Sequence, residues 1–142
     1  MARVVMQAVV SVDGYIAYPD DTVGPLFDWY GNGDTEVSAR VSGWTFHVSQ
    51  ASADYVQPFW DAIKVTVIGR YLFDTTNGWD GDLGGQAFSA GLVDEIAMDV
   101  APVVLGEGVR FFGSHAGTVL LDDPDRVVQG DRVLHLHYTV QR

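Results

Sequence analysis

The sequence predicts an α/β domain built on a mixed sheet, and three observations carry that expectation. Valine-rich apolar runs bounded by turn residues alternate with a segment of helical periodicity. The last apolar runs stand close enough together to pair antiparallel. The chain's 142 residues, 47% hydrophobic and 12% aromatic, suffice for one core in a single domain, residues 1–142.

Taken in order, "RVVMQAVVSV" reads as a buried first strand closed by the Asp13-Gly14 turn. From Tyr18 to Gly43 no period is sustained, and the stretch reads as a long irregular loop whose aromatics argue against disorder. Ser49 is placed to cap a helix reaching about Ile63, with Ala51, Tyr55, Phe59 and Ile63 as its apolar stripe. Pro58 inside it predicts a kink or two short helices. "VTVIG", residues 65–69, reads as a short buried strand, and "GGQAFSAG", residues 84–91, as a brief helix. "LVDEIAMDVAPVVLG" reads as a long strand with a bulge or an edge position at Pro102. "GTVLLDD" and "RVLHLHYTV" are expected to form a terminal antiparallel pair around "PDRVVQGD".

Charge narrows the range of functions. Nineteen acids oppose eight bases, the net charge is −11, and Lys64 is the single lysine. Nucleic acid and anionic membrane are therefore not expected as partners, because phosphate binding draws on clustered Lys and Arg. The absence of cysteine excludes disulfides, thiolate catalysis and Cys-ligated metals. The N-terminal apolar run is too short to span a bilayer, so a cytoplasmic protein is expected.

Six segments carry a resemblance to a known family: "SVDGYIAYPD", "FDWYGNGD", "FHVSQASADY", "VIGRYLFDTTNGW", "AGLVDEIAMDVAPVVLGEGVRFF" and "VLHLHYTV". In that order they resemble the dihydrofolate reductase-like family, which includes the reductase domain of riboflavin biosynthesis. The resemblance implies a mostly parallel central sheet flanked by helices. It also implies NADPH as hydride donor to a small heterocyclic or unsaturated substrate, and a homodimer. The chain departs from the family between "NGW" (77–79) and "GGQAF", where a strand–helix–strand stretch is missing. A reduced central sheet is expected, and with it a shortened adenosine half of the cofactor groove.

The resemblance assigns the turn at Gly69 and Arg70 to cofactor phosphates; a surface ion pair is the competing reading of Arg70. Gly84 and Gly85 before a helix would let a pyrophosphate approach, but with no strand before them a flexible turn left by the shortened connection is the preferred reading. Asp13 and Asp28 are the candidate catalytic acids, since a partly buried carboxylate is shifted toward neutrality and can move a proton. Both also suit turns or caps, as does Asp34. Tyr15, Trp29, Tyr30 and Trp79 are candidate substrate walls, apolar bodies with polar tips, although any one of them also suits a core.

His135 and His137 share one side of a strand without a third ligand and read as sheet-surface histidines, so no metal is expected. His47 and His115 lack a motif. Asp99 reads as structural or solvent-facing, and Ser11 and Ser89 show no base partner. Three functions follow in order of preference. The first is an NADPH-dependent reductase. The second is a cofactor-free cyclase or isomerase, for instance in secondary metabolism. The third is a non-catalytic binder of small molecules.

Overall fold

A computed structural model describes residues 2–39, 43–65 and 83–142, with the backbone only at 83 and 84. In chain order the elements begin with β1 (Val5–Ser11), β2 (Tyr15–Ala17) and a 3-10 helix (Gly24–Tyr30). A hairpin follows, β3 (Thr35–Ala39) and β4 (Trp44–Val48), and then α1 (Gln50–Ala62) and α2 (Leu83–Ser89). The chain continues with β5 (Glu95–Ala101), β6 (Val109–Arg110), β7 (Arg126–Gln129) and β8 (Leu134–Thr139).

The main sheet runs β1-β5-β8-β7. β1 lies parallel to β5 from Val5↔Glu95 to Ser11↔Ala101, while β8 is antiparallel to both β5 and β7. Side-chain alternation gives this sheet two different faces. On one, Val10 and Ile96 pack with Phe88, Val93 and Phe111. On the other, Val9, Ala101 and Val133 pack with Leu26 and Trp29 of the 3-10 helix, Val37 and Val48 of the hairpin, and Ala53, Tyr55 and Val56 of α1. The core is thus two layers sharing one sheet, as the mixed α/β expectation requires.

Several local expectations are corrected. The stretch read as irregular from Tyr18 to Gly43 contains the 3-10 helix and strand β3. Only Val37 of β3 is buried, so its alternation is too weak to announce a strand. α1 passes through Pro58 as one helix, and its buried side is Ser52, Ala53, Tyr55 and Val56, a stripe rotated from the expected one. The Ser49 cap is as expected: its hydroxyl accepts from the Ser52 amide.

At the far end of the chain, the partner of β8 is β7, inside the segment read as a connector, and Leu121 makes only a bridge to Val140. β5 is shorter than expected because the chain breaks its ladder after Ala101, just before Pro102. Strand "VTVIG" and the shortened connection after "NGW" fall, beyond Val65, outside the described residues.

Glycine is required where loops meet. A Cβ on Gly108 would lie 2.0 Å from the Ala17 carbonyl oxygen, at a φ of +148°. This close approach seats the loop after β5 against β2.

Candidate functional site

Parallel sheets bind ligands beyond the carboxyl ends of their strands. Here those ends are the loop Val12–Gly14 after β1 and the loop Pro102–Gly108 after β5, and Asp13 joins them. Its carboxylate accepts from the Ser11 hydroxyl at 2.6 Å, the Gly106 amide at 2.8 Å and the Leu105 amide at 3.1 Å. The Val12 amide adds a bond to the Val103 carbonyl at 2.9 Å. The Ser11 hydroxyl is the largest influence on Asp13, and with the two amides it holds the carboxyl below its ordinary range. The surroundings therefore favour the charged form of this exposed group, opposite to the upward shift that burial would give.

Tyr15 sits beside this junction. Its amide donates to the Ser11 hydroxyl at 2.9 Å, and it pairs with Arg110 across β2–β6. At Gly14 and Gly106 a Cβ would meet nothing within 4 Å, so the backbone at both loops faces open space. Asp28 lies on the exposed side of the 3-10 helix. Trp29 and Tyr30 point the other way. Trp29 is 1% exposed, its ring stacked on Tyr30 with centroids 4.1 Å apart, and Tyr30 continues onto Phe46 at 4.5 Å. Burial, with the Asp99 charge added, pushes the Tyr30 phenol upward. These two rings fill the layer beneath the sheet. Gly84 and Gly85 occupy the first turn of α2. Gly69, Arg70 and Trp79 lie outside the described residues.

The structure also brings together residues that the sequence reading left apart. Asp99 and His135 face each other across β5–β8, and both are buried, at 3% and 0% exposure. His135 Nδ1 lies 2.7 Å from Asp99 Oδ1, and Nε2 lies 2.8 Å from the Ser52 hydroxyl of α1. Gln7 Nε2 donates to the second Asp99 oxygen at 2.5 Å. With Asp99 accepting at Nδ1, the ring's Nε2 accepts from Ser52, and every group is satisfied. The group order is that of a hydrolytic relay, but Ser52 is 1% exposed and no substrate carbonyl reaches it.

One step along the same strand, His137 places Nδ1 2.6 Å from Asp125 and Nε2 3.0 Å from Glu95, which also binds Arg3. Asp99, His135 and His137 are therefore interior residues, not surface ones. The missed signal lay in the alternation of β5: Asp99 shares its side with Ala97 and Ala101, the side that α1 covers. A seam lined by Gln7, Tyr55, Phe59, Trp60 and Asp99 is too narrow for a water molecule. Tyr55 lines it, its hydroxyl without a partner among the described residues and pushed up to about 12 by burial first and the Asp99 charge second. Among the described residues no group of three His, Cys, Asp or Glu is arranged to hold a metal, and no described helix is long and apolar enough to cross a membrane.

No protein-family model and no curated protein matches the sequence significantly. Solved structures do share the fold. A protein assigned to riboflavin biosynthesis from Shewanella sp. PV-4 is 16% identical with a TM-score of 0.54, the match covering 100% of both chains. RibD of Acinetobacter baumannii is 14% identical with a TM-score of 0.51, over 98% of this chain but 58% of that one. The chain thus spans little more than half of the Acinetobacter protein. The α/β architecture of the dihydrofolate reductase-like type, expected from the sequence, is the fold of this chain, and it is shared with proteins of riboflavin biosynthesis.

Proposed function

We propose that the chain is a small-molecule oxidoreductase that uses NADPH to reduce a small heterocyclic or unsaturated substrate at the carboxyl edge of β1 and β5. The observation that carries this reading is the junction at Asp13, where two loops with open glycine backbone are locked together at the edge where such folds take ligands. A flat ring fits against backbone that carries no Cβ, which is what Gly14 and Gly106 offer. In this reading the phosphates of the cofactor are assigned to Gly69, Arg70, Gly84 and Gly85, and Trp79 to the substrate. When bound, NADPH supplies the hydride, while the protein orients both partners and excludes water.

In this reading Asp13 is a positioning residue. Held ionised, it fixes the two loops and places one negative charge near the substrate, and Tyr15 offers a ring and a hydroxyl beside it. Trp29 and Tyr30 support the site from beneath. A homodimer in the cytoplasm is the setting the reading assumes.

Titration of NADPH by fluorescence or calorimetry tests it. Saturable binding that Arg70→Ala weakens at least ten-fold is expected, and no binding at millimolar cofactor overturns the reading. One observation favours a second reading, rearrangement without a cofactor. The amides of Leu105 and Gly106, donors that an anion would want at this edge, are already bound to Asp13. Substrate turnover in the absence of NADPH, lost in Asp13→Asn or Asp28→Asn, would select it.

A further inference from the structure

A cleft of about 240 Å³ lies at the opposite end of the sheet, between the end of α2 and the residues after β8. β5 begins at this end, and Glu95 pairs with Thr139 here. The seven-residue length of β5 separates the cleft from the Asp13 junction by about 20 Å. Its apolar lining comes from Phe88, Val93, Val119 and Val140.

The polar groups of the cleft are mostly committed. Gln141 donates to Asp122 at 2.9 Å, and Arg142 is paired with Asp94. The exception is Ser89, whose hydroxyl lies 2.8 Å from His115 Nδ1. His115 Nε2 is buried and has no partner among the described residues. A buried orphan N–H is costlier than a bare lone pair, so the ring proton sits on Nδ1 and donates to Ser89. The Ser89 hydroxyl hydrogen is then free to point outward from an exposed residue.

We infer that this cleft is a second binding site, independent of the NADPH reading, for a small neutral molecule with an apolar body and one acceptor oxygen, such as an aryl or alkyl ketone. The valines and Phe88 take the body, and Ser89, oriented by His115, donates to the oxygen. Arg142 lines the cleft but its charge is taken up by Asp94, and Asp122 accepts from Gln141 beside it, so in a chain of net charge −11 the surroundings disfavour an anion of the same shape.

Acetophenone and benzoate, titrated into the full chain by saturation-transfer NMR and calorimetry, decide the matter. Acetophenone is expected to bind with a dissociation constant on the order of a millimolar, in keeping with so few heavy atoms. Benzoate should bind at least about five-fold more weakly through charge repulsion. Ser89→Ala should weaken acetophenone about three- to ten-fold, the equivalent of one neutral hydrogen bond. Val119→Trp, at an exposed loop position, should abolish binding and leave the thermal midpoint and NADPH titration unchanged. No acetophenone binding at about 10 mM, well above what such a site needs, overturns the inference. So does binding that survives Val119→Trp, equal binding of benzoate, or a Ser89→Ala variant of unchanged affinity.

Discussion

The interior histidines show how much depends on single polar atoms. His135 is buried with Asp99, and removing it takes the partner from one Asp99 oxygen and from the Ser52 hydroxyl, both buried. His135→Leu should therefore cost about 3–5 kcal/mol, the penalty of breaking a buried pair from one side. The double variant Asp99→Leu, His135→Leu should recover more than half of that, because two apolar groups leave far less to satisfy. Urea denaturation of both variants checks it, and a His135→Leu cost below about 1 kcal/mol would refute the assignment of a tightly coupled pair.

Acid sensitivity belongs to the same scale. The hydrogen bond from His137 is the largest influence holding Asp125 below its ordinary 3.8, and Asp13 is held down by Ser11. A lowered folded pKa gives stability that is present above 3.8 and lost as pH falls below it. The thermal midpoint should thus drop on acidification below that value, and drop less steeply in Asp125→Asn. An identical acid limb in wild type and Asp125→Asn would remove Asp125 from the account.

At the scale of elements, cap and packing position can be separated. Ser49→Ala removes the acceptor for the Ser52 amide at the start of α1 and should cost about 1 kcal/mol. Gly130→Ala should cost more, since a Cβ there lies 2.1 Å from the Ser52 hydroxyl and 2.8 Å from a Val133 methyl. Equilibrium unfolding that ranks the two the other way would mean that the turn before β8 moves aside freely.

The same elements show what the sequence makes legible. β1 announces itself as a valine-rich run and β5 as a largely apolar one, and the serine cap of α1 is written in its own residues. β7 is four residues between turn signals, with a single half-buried valine facing inward, so its pairing with β8 comes from tertiary contact alone. The hairpin β3–β4 is hidden for the same reason. In the candidate site, Asp13 was legible because a strand end followed by Asp-Gly is a local pattern. The interior role of Trp29 and Tyr30 was not, because the layer they fill is closed by Val9, Ala101 and Val133, which come from distant parts of the chain.

For the whole molecule the dominant quantity is net charge. Nineteen acids against eight bases make the folded chain repel itself, and compaction raises that repulsion relative to the extended state. The described cations reduce it only locally, as Arg3 does at Glu95 and Arg142 at Asp94. Repulsion summed over many distant acids has the longer range, so salt should screen it more than it weakens these contact pairs. Between about 0.01 M and 0.1 M salt the screening length falls from about 30 Å to about 10 Å, which is shorter than a domain of this size. The thermal midpoint should therefore rise as sodium chloride is added over that range at neutral pH, the reverse of a protein held together by exposed ion pairs. A scan in which added salt lowers the midpoint would show that the local pairs outweigh the summed field.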